Sequence, residues 1–261
     1  MKKMELQAAI QSLQEFDTAL LANTVQYIDS TPCHELYMGR SIQSVTPTLG
    51  PSVGVAVICE LDSSTPEGAP NADDFWRQLE QMQKMDVPTI WVVKTVGNRP
   101  EHECALGDGM AKVLYSVGCV AQVTDGGVRD VSGLLTVPFA AYSKGKTVHH
   151  CAYRFKALNE ATSMGGIEVA PGDILHANSE GVIRIPRTCL PALLPAAARM
   201  RSLEHEAHAL FRRKDVELKV KRAGVEKMLS DYGFVGAPVK GSRLSSSRGS
   251  LTREKRPPGE L

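Results

Sequence analysis

The sequence predicts an α/β fold with one core: strands alternate with helices early, a β-rich block follows, and a helical arm closes the chain. Three patterns support this. Val53–Leu61 (VGVAVICEL), Thr89–Val96 and Cys119–Thr124 are apolar, β-branched runs of the kind that form buried strands. Between them, 73–85 and 107–117 carry apolar residues at helical spacing. From Phe139 to Ile185, turn signals at Gly165-Gly166, Pro171-Gly172-Asp173 and Gly181 divide the chain into short strands.

Residues 4–28 repeat Leu6, Ile10, Leu13, Leu20, Leu21 and Val25 at roughly helical spacing, with a break near Phe16 and Asp17 and an end at Ser30-Thr31-Pro32. After the strand at 53–61 comes a polar loop, 62–71. Asp73 or Asp74 can cap the next helix, whose inner stripe is Phe75, Leu79, Met82 and Trp76. A loop is expected at 97–106. In the following helix Met110, Val113, Leu114 and Val117 form one apolar face, and Gly118 suits the left-handed residue that stops it. Asp125-Gly126-Gly127 then turns the chain, since glycines tolerate positive φ. The arm is a long helix at 188–214, with Leu190, Leu193, Leu194, Ala197, Met200 and Leu203 on one face, and a second helix at 216–232. Residues 1–235 are expected to form the folded domain. The stretch 236–261 holds six Lys/Arg against two Glu and reads as a disordered basic tail.

At 261 residues, 43% hydrophobic and 23% charged, the chain has ordinary globular usage, which excludes a mainly disordered or fibrous protein. A net charge of +1 gives no global field toward nucleic acid or membrane, and 5% aromatics argue against a base-stacking platform. No run approaches the ~18 apolar residues that span a bilayer. The N-terminal MKKMELQAAIQSLQEF lacks the apolar core of a secretion signal. Six scattered cysteines without a CxxC pair read as reduced thiols, so a cytoplasmic protein is expected.

The chemistry concentrates in Gly107–Asp130. Asp108 falls at a helix start. It is either an N-cap or the rim of an anion site made by the amides of Gly109 and Met110. Arg129 and Asp130 lie just past a strand and a double glycine. Adjacent residues in a regular strand point to opposite faces, so both reach one site only if the chain leaves strand geometry there. Otherwise they are a surface ion pair.

Asp108, twenty intervening residues, then Arg129-Asp130 spells D-x20-R-D. With the turn DGGVRD (125–130) and the later run GGIEVAPGDILHANSEGVIRIP (165–186), the chain resembles the RraA-like family over most of 15–210. Within it, the resemblance is to the 4-hydroxy-4-methyl-2-oxoglutarate aldolases, which also decarboxylate oxaloacetate. The resemblance implies a swivelling β/β/α domain and a class II aldolase dependent on Mg2+ (or Mn2+), cleaving a 4-hydroxy-2-oxo acid to pyruvate. By matching position, Asp130 is then the direct metal ligand and Asp108 a ligand through water. Arg129 grips the pyruvyl group, and the amides of Gly109 and Met110 receive the carboxylate. It also implies a homotrimer or a pair of trimers, with a neighbour's glutamate, Glu204 or Glu206, approaching the site. The chemistry agrees: a hard cation stabilises an enolate, and Mg2+ needs only one or two protein carboxylates. Arg129 adds fixed positive charge where the oxyanion develops.

The family's usual glycine-rich loop is replaced here by a stretch from Lys94 to Cys104, which is expected to bring Lys94, Arg99 and His102 near the site and to admit a different, sugar-derived keto acid. The alternative function is a non-catalytic regulator that binds an RNA-degrading enzyme. Members credited with that role depart from D-x20-R-D, and this chain keeps all three residues. His149-His150, read as strand neighbours on opposite faces, are expected to be structural, with one of them a candidate for the site's mouth. Cys33-His34 and Cys151 read as packing, and Gly107-Asp108-Gly109 lacks the third glycine of a dinucleotide site.

Overall fold

The computed structural model describes residues 3–235; the tail expected at 236–261 lies outside them. The chain opens with α1 (Lys3–Leu13) and α2 (Thr18–Val25), broken where the sequence places the break. Then come β1 (Gln43–Ser44), β2 (Ser52–Asp62), α3 (Asp73–Met85), β3 (Thr89–Thr95), β4 (Cys104–Leu106) and α4 (Asp108–Ser116). Next are β5 (Cys119–Thr124), β6 (Gly127–Val128) and the short α5 (Val131–Leu134). The β-rich block holds β7 (Ala140–Ser143), β8 (Gly145–Lys146), β9 (Arg154–Lys156), β10 (Thr162–Met164), β11 (Ile167–Val169), β12 (Ile174–Asn178) and β13 (Gly181–Ile185). The arm is α6 (Leu190–Arg212) and α7 (Leu218–Asp231).

An eight-stranded sheet carries the fold, in the order β1-β7-β5-β3-β2-β12-β13, with β9 also on β2. β2 is long enough for two partners on one edge. β12 runs antiparallel along Ser52–Val55 and β9 along Glu60–Asp62, while β3 lies parallel on the other edge. Between β12 and β9, Ala56 bonds to the loop at 172–173 through both its amide and its carbonyl, and the Ile58 carbonyl accepts from the Asn159 amide.

Side-chain alternation along β2 divides the core. Ala56 and Ile58 join Ile90, Val92, Val123 and Leu175 beneath the β10–β11 hairpin. Val57, Cys59 and Leu61 face the other way, onto α3 and α4. Val53 and Val55, nearer the strand's start, meet α1, α2 and α6 instead. The arm buries Leu190, Leu193, Ala197, Met200 and Leu203, the face expected from sequence, whereas α7 has no fully buried residue.

Three local expectations need correction. Trp76 is 55% exposed and not part of the inner stripe of α3. It lies about 100° round the helix from Phe75. Its place is taken by Gln78, which donates to the Ile58 carbonyl (2.7 Å) and accepts from Trp91 Nε1 (2.7 Å). Neither Asp73 nor Asp74 caps that helix, which starts after Ala72 without a side-chain cap. The stretch 97–106 ends in a strand, β4, rather than continuing as a loop.

His176 ties the N-terminal helices to the sheet. It is fully buried, with Nε2 3.1 Å from the Leu13 carbonyl and Nδ1 2.9 Å from the Thr18 hydroxyl. A carbonyl only accepts, so Nε2 carries the proton and Thr18 donates to Nδ1. Burial disfavours the charged ring and pushes its pKa from 6.5 down to about 4. Below pH 6.5 the unfolded chain binds a proton here that the folded chain refuses until about pH 4. This contribution to stability is therefore complete above pH 6.5 and is lost as the pH falls through 4. Urea midpoints should drop between pH 7 and 4.5, and His176→Asn should flatten that drop. An identical pH slope in the variant would assign it to other groups.

Candidate functional site

A second, small sheet positions the site. β4 pairs parallel with β6, and β6 with β8. Cys104 faces Gly127 and Leu106 faces Val128, with a register shift between the two pairs, and Arg129 N–H continues the ladder to the Leu106 carbonyl (2.9 Å). Buried Gln122 of β5 fixes this sheet to the main one by donating to the Ala105 carbonyl (2.9 Å). Because β4 and β6 run in the same direction, their carboxyl ends coincide. Asp108 leaves one and Arg129-Asp130 leaves the other.

The glycines of the turn act through their size. Gly126 and Gly127 do not take positive φ. A Cβ on Gly126 would meet Thr95 Cγ2 at 2.6 Å, and one on Gly127 would meet Thr147 Cγ2 at 2.9 Å. The left-handed residue is Asp130 itself (φ 56°, ψ 40°), a conformation aspartate tolerates better than most residues. Its carbonyl accepts from Gly133 and Leu134 and starts α5. This is the departure from strand geometry that lets both Arg129 and Asp130 line one cavity with Asp108.

Asp108 is the first residue of α4, and Gly107 occupies the cap position without a side-chain cap bond. The N-cap alternative for Asp108 is thus excluded. The helical ladder begins with Ala111 N–H to the Gly107 carbonyl, so the amides of the first turn, Gly109 and Met110 among them, have no intrahelical acceptor. Lys112 donates to Asp108 Oδ2 (2.5 Å). This bond, with help from the Gly109 amide and Arg129, holds the carboxyl below the usual carboxylate range.

Arg129 Nε lies 3.2 Å from Asp130 Oδ2, yet it is buried without a hydrogen bond of good geometry. Beyond that ion pair, neither the guanidinium nor the Asp130 carboxylate bonds to another described side chain. Gly107 makes room for both: a Cβ there would sit 3.1 Å from Asp130 Oδ2 and 3.2 Å from Arg129 Nε.

These groups open into a cavity of about 700 Å³, lined also by Gly109 and Met110. Four aromatic residues, Phe75, Trp76, Tyr153 and Phe155, line it too, together with His150. Burial beside Cys104 pushes the Tyr153 phenol upward, so it stays protonated. His149 and His150 lie in a loop, not on a strand, with rings 5.4 Å apart. One of the two histidines was the candidate for the site's mouth, and His150 is the one that lines the cavity.

Lys94, Arg99 and His102 do not line the cavity, contrary to expectation. Lys94 bonds to Asp125 (2.5 Å), and the Arg99 amide bonds to Ser64 Oγ (3.0 Å). Their loop is drawn aside by Glu103. This residue is buried and accepts from the Ser63 amide and hydroxyl and from the Ser64 hydroxyl. Glu204 and Glu206 lie on the arm, bonded to Asn23 and Tyr232 of their own chain.

Among the described residues no three His, Cys, Asp or Glu side chains form a ready-made metal cage. Two carboxylates facing one open cavity, one of them accepting no protein hydrogen bond, fit a hard ion that keeps much of its water. They fit a closed zinc site poorly.

Known proteins agree with this architecture. The RraA-like family, described as Aldolase/RraA, matches residues 24–184, more than half of the chain, and the protein belongs to it. An uncharacterized protein from Pseudomonas syringae pv. tomato superposes with a TM-score of 0.63 at 19% identity, covering 84% of this chain and 94% of that one. A Streptomyces coelicolor protein, described as an unusual member of the RNase ES inhibitor RraA family, gives 0.61 at 19% identity, covering 77% and 96%. These likenesses establish the fold. By sequence, an uncharacterized Methanocaldococcus jannaschii protein is 28% identical over 122 residues, 44% of this chain and 57% of that protein. A Halalkalibacterium halodurans protein, provisionally named a 4-hydroxy-4-methyl-2-oxoglutarate aldolase, is 31% identical over 80 residues, 30% of this chain and 37% of that protein. Each match thus spans less than two thirds of the relative. No helix among the described residues is long and apolar enough to cross a membrane.

Two glycines test the packing of the site. A Cβ on Gly133 would fall 2.6 Å from Asp108 Cβ, whereas one on Gly109 meets nothing within 4 Å. Gly133→Ala should destabilise by about 1–3 kcal/mol through overpacking. Gly109→Ala should be neutral or stabilise by up to about 1 kcal/mol through helix propensity. Denaturation midpoints that move the same way in both would refute this packing.

Proposed function

We propose that the protein is a divalent-metal-dependent carbon–carbon lyase of class II aldolase type, cleaving a 4-hydroxy-2-oxo acid to pyruvate and a carbonyl product. The observation that carries this is the convergence of Asp108, Arg129 and Asp130 on one cavity, where the guanidinium has no described side-chain partner besides the Asp130 carboxylate. Asp130 would hold Mg2+ or Mn2+ directly and Asp108 through water. Such an ion, when bound, supplies positive charge where the enolate of pyruvate develops.

The chain's own groups do the rest. Arg129 presents a planar fork that fixes two oxygens of the 2-oxo acid at once, orienting the C3–C4 bond. The first-turn amides of Gly109 and Met110, at the positive end of α4, receive the carboxylate. Lys112 keeps Asp108 ionised. Breaking C3–C4 requires the C4 hydroxyl to lose its proton. His150 Nδ1 is 2.5 Å from the Cys151 carbonyl and must be the protonated nitrogen, which leaves Nε2 as the accepting atom for that proton. Oxaloacetate would lose CO2 in the same site, because that reaction passes through the same enolate.

The same proposal includes a cytoplasmic homotrimer or pair of trimers in which Glu204 or Glu206 completes a neighbour's site. Pyruvate release from 4-hydroxy-2-oxo acids and oxaloacetate, with and without Mg2+ or Mn2+, tests it. Metal-dependent turnover is expected. No turnover of any of these acids by the purified protein with metal would remove the lyase and favour the regulator. Asp130→Ala should abolish the metal-dependent rate, and near-wild-type activity would exclude Asp130 as the ligand. Arg129→Lys should lower kcat/KM at least about tenfold, since a point charge does not replace a bidentate fork. An unchanged value would remove Arg129 from the site.

A further inference from the structure

The geometry points to a ligand whose far end is apolar and of aromatic size: a 2-oxo acid with an aryl-like group at C4, and not a second carboxylate. This rests on the preceding assignment of Arg129's end of the cavity to the 2-oxo acid. Five rings lining the cavity follow one another in a connected series. Trp76 and Phe75 have centroids 5.8 Å apart, and Phe75 and Phe155 stack at 5.4 Å. Phe155 and Tyr153 are 5.9 Å apart, and Tyr153 stacks on His150 at 4.0 Å. The inner end of this series lies in the field of Arg129 and Asp130, which act on the Tyr153 phenol. The outer end is the indole of Trp76, 55% exposed.

Charge decides what such a lining can bind. Arg129 is the one Lys or Arg among the residues lining the cavity, and the other ionic groups there are the carboxylates Asp108 and Asp130. With Arg129 committed to the 2-oxo acid, no second Lys or Arg among the lining residues would pair a further carboxylate lying against these rings. An aryl group would instead cover Trp76 and Phe155 and take up their favoured offset or edge contacts. The volume of about 700 Å³ is within the range of small-molecule pockets. For 4-hydroxy-2-oxo-4-phenylbutanoate the chemistry balances. The C3–C4 bond breaks, the C4 hydroxyl loses its proton, and C4 becomes the carbonyl carbon of benzaldehyde. The bonding pair passes to the enolate, which takes up a proton at C3 to give pyruvate.

Calorimetric titration of the full-length protein with Mg2+ separates the two ligand types. 4-Phenyl-2-oxobutanoate and 2-oxoglutarate share the 2-oxo acid head and lack the 4-hydroxyl, so neither is cleaved by retro-aldol chemistry. The phenyl acid should bind at least about tenfold more tightly, a factor worth ~1.4 kcal/mol. Trp76→Ala should remove most of that advantage, and Trp76→Arg should invert it by placing a cation at the far end. Equal or tighter binding of 2-oxoglutarate to the wild type, or an unaltered preference in Trp76→Ala, overturns the inference. Pyruvate release that favours 4-hydroxy-4-methyl-2-oxoglutarate over the phenyl substrate also overturns it and leaves the lyase standing. Tight, Trp76-dependent binding of the phenyl acid without pyruvate release supports it and sinks the lyase.

Discussion

The site depends on one constraint, the parallel pairing of Cys104–Leu106 with Gly127–Val128. Two short strands running in the same direction deliver their carboxyl ends to the same place. One end starts α4 at Asp108, and the other turns into α5 through Arg129 and Asp130. This is the geometry by which α/β folds gather functional groups at strand carboxyl ends. Small residues let it close: Gly126 and Gly127 admit Thr95 and Thr147, Gly107 sits against the Arg129-Asp130 pair, and Gly133 sits against Asp108.

The electrostatics at that point are only partly satisfied by the protein. Asp108 has Lys112, but Arg129 and Asp130 have little besides each other, and their contact lacks hydrogen-bond geometry. Asp130 is also held at positive φ, a conformation that costs a non-glycine residue about 1 kcal/mol or more. Arg129 and Asp130 thus face the cavity with only each other as side-chain partners among the described residues. Glu103 shows the contrast. It is a buried carboxylate with three donors from Ser63 and Ser64, and its function is to tie a loop down.

Helices and long strands were legible because their signals are local. The period of Met110, Val113, Leu114 and Val117 specifies α4, and the apolar run at 53–61 specifies β2. The stripe of α3 was legible except at Trp76, because an aromatic residue beside a stripe gains no burial from its neighbours in sequence. β4 and β6 were not legible. At three and two residues they are too short for any period to show, and only their partner defines them. The aromatic lining was hidden for a similar reason: Trp76 and Tyr153 are remote in the chain and reach one cavity only through the tertiary fold.

The sequence by itself determined the class of fold, the order of its main elements, the family resemblance and the three charged residues that stand together. Spacing and composition carry that information because helix and strand periods and family motifs are properties of local sequence. Only the tertiary structure decided that Asp108 is not a cap and that Asp130 takes the left-handed turn expected of a glycine. It also left Lys94, Arg99 and His102 outside the cavity and brought five rings into it with Arg129. Those outcomes follow from which strand ends coincide and which loops are pulled aside, and such long-range packing leaves no period along the chain.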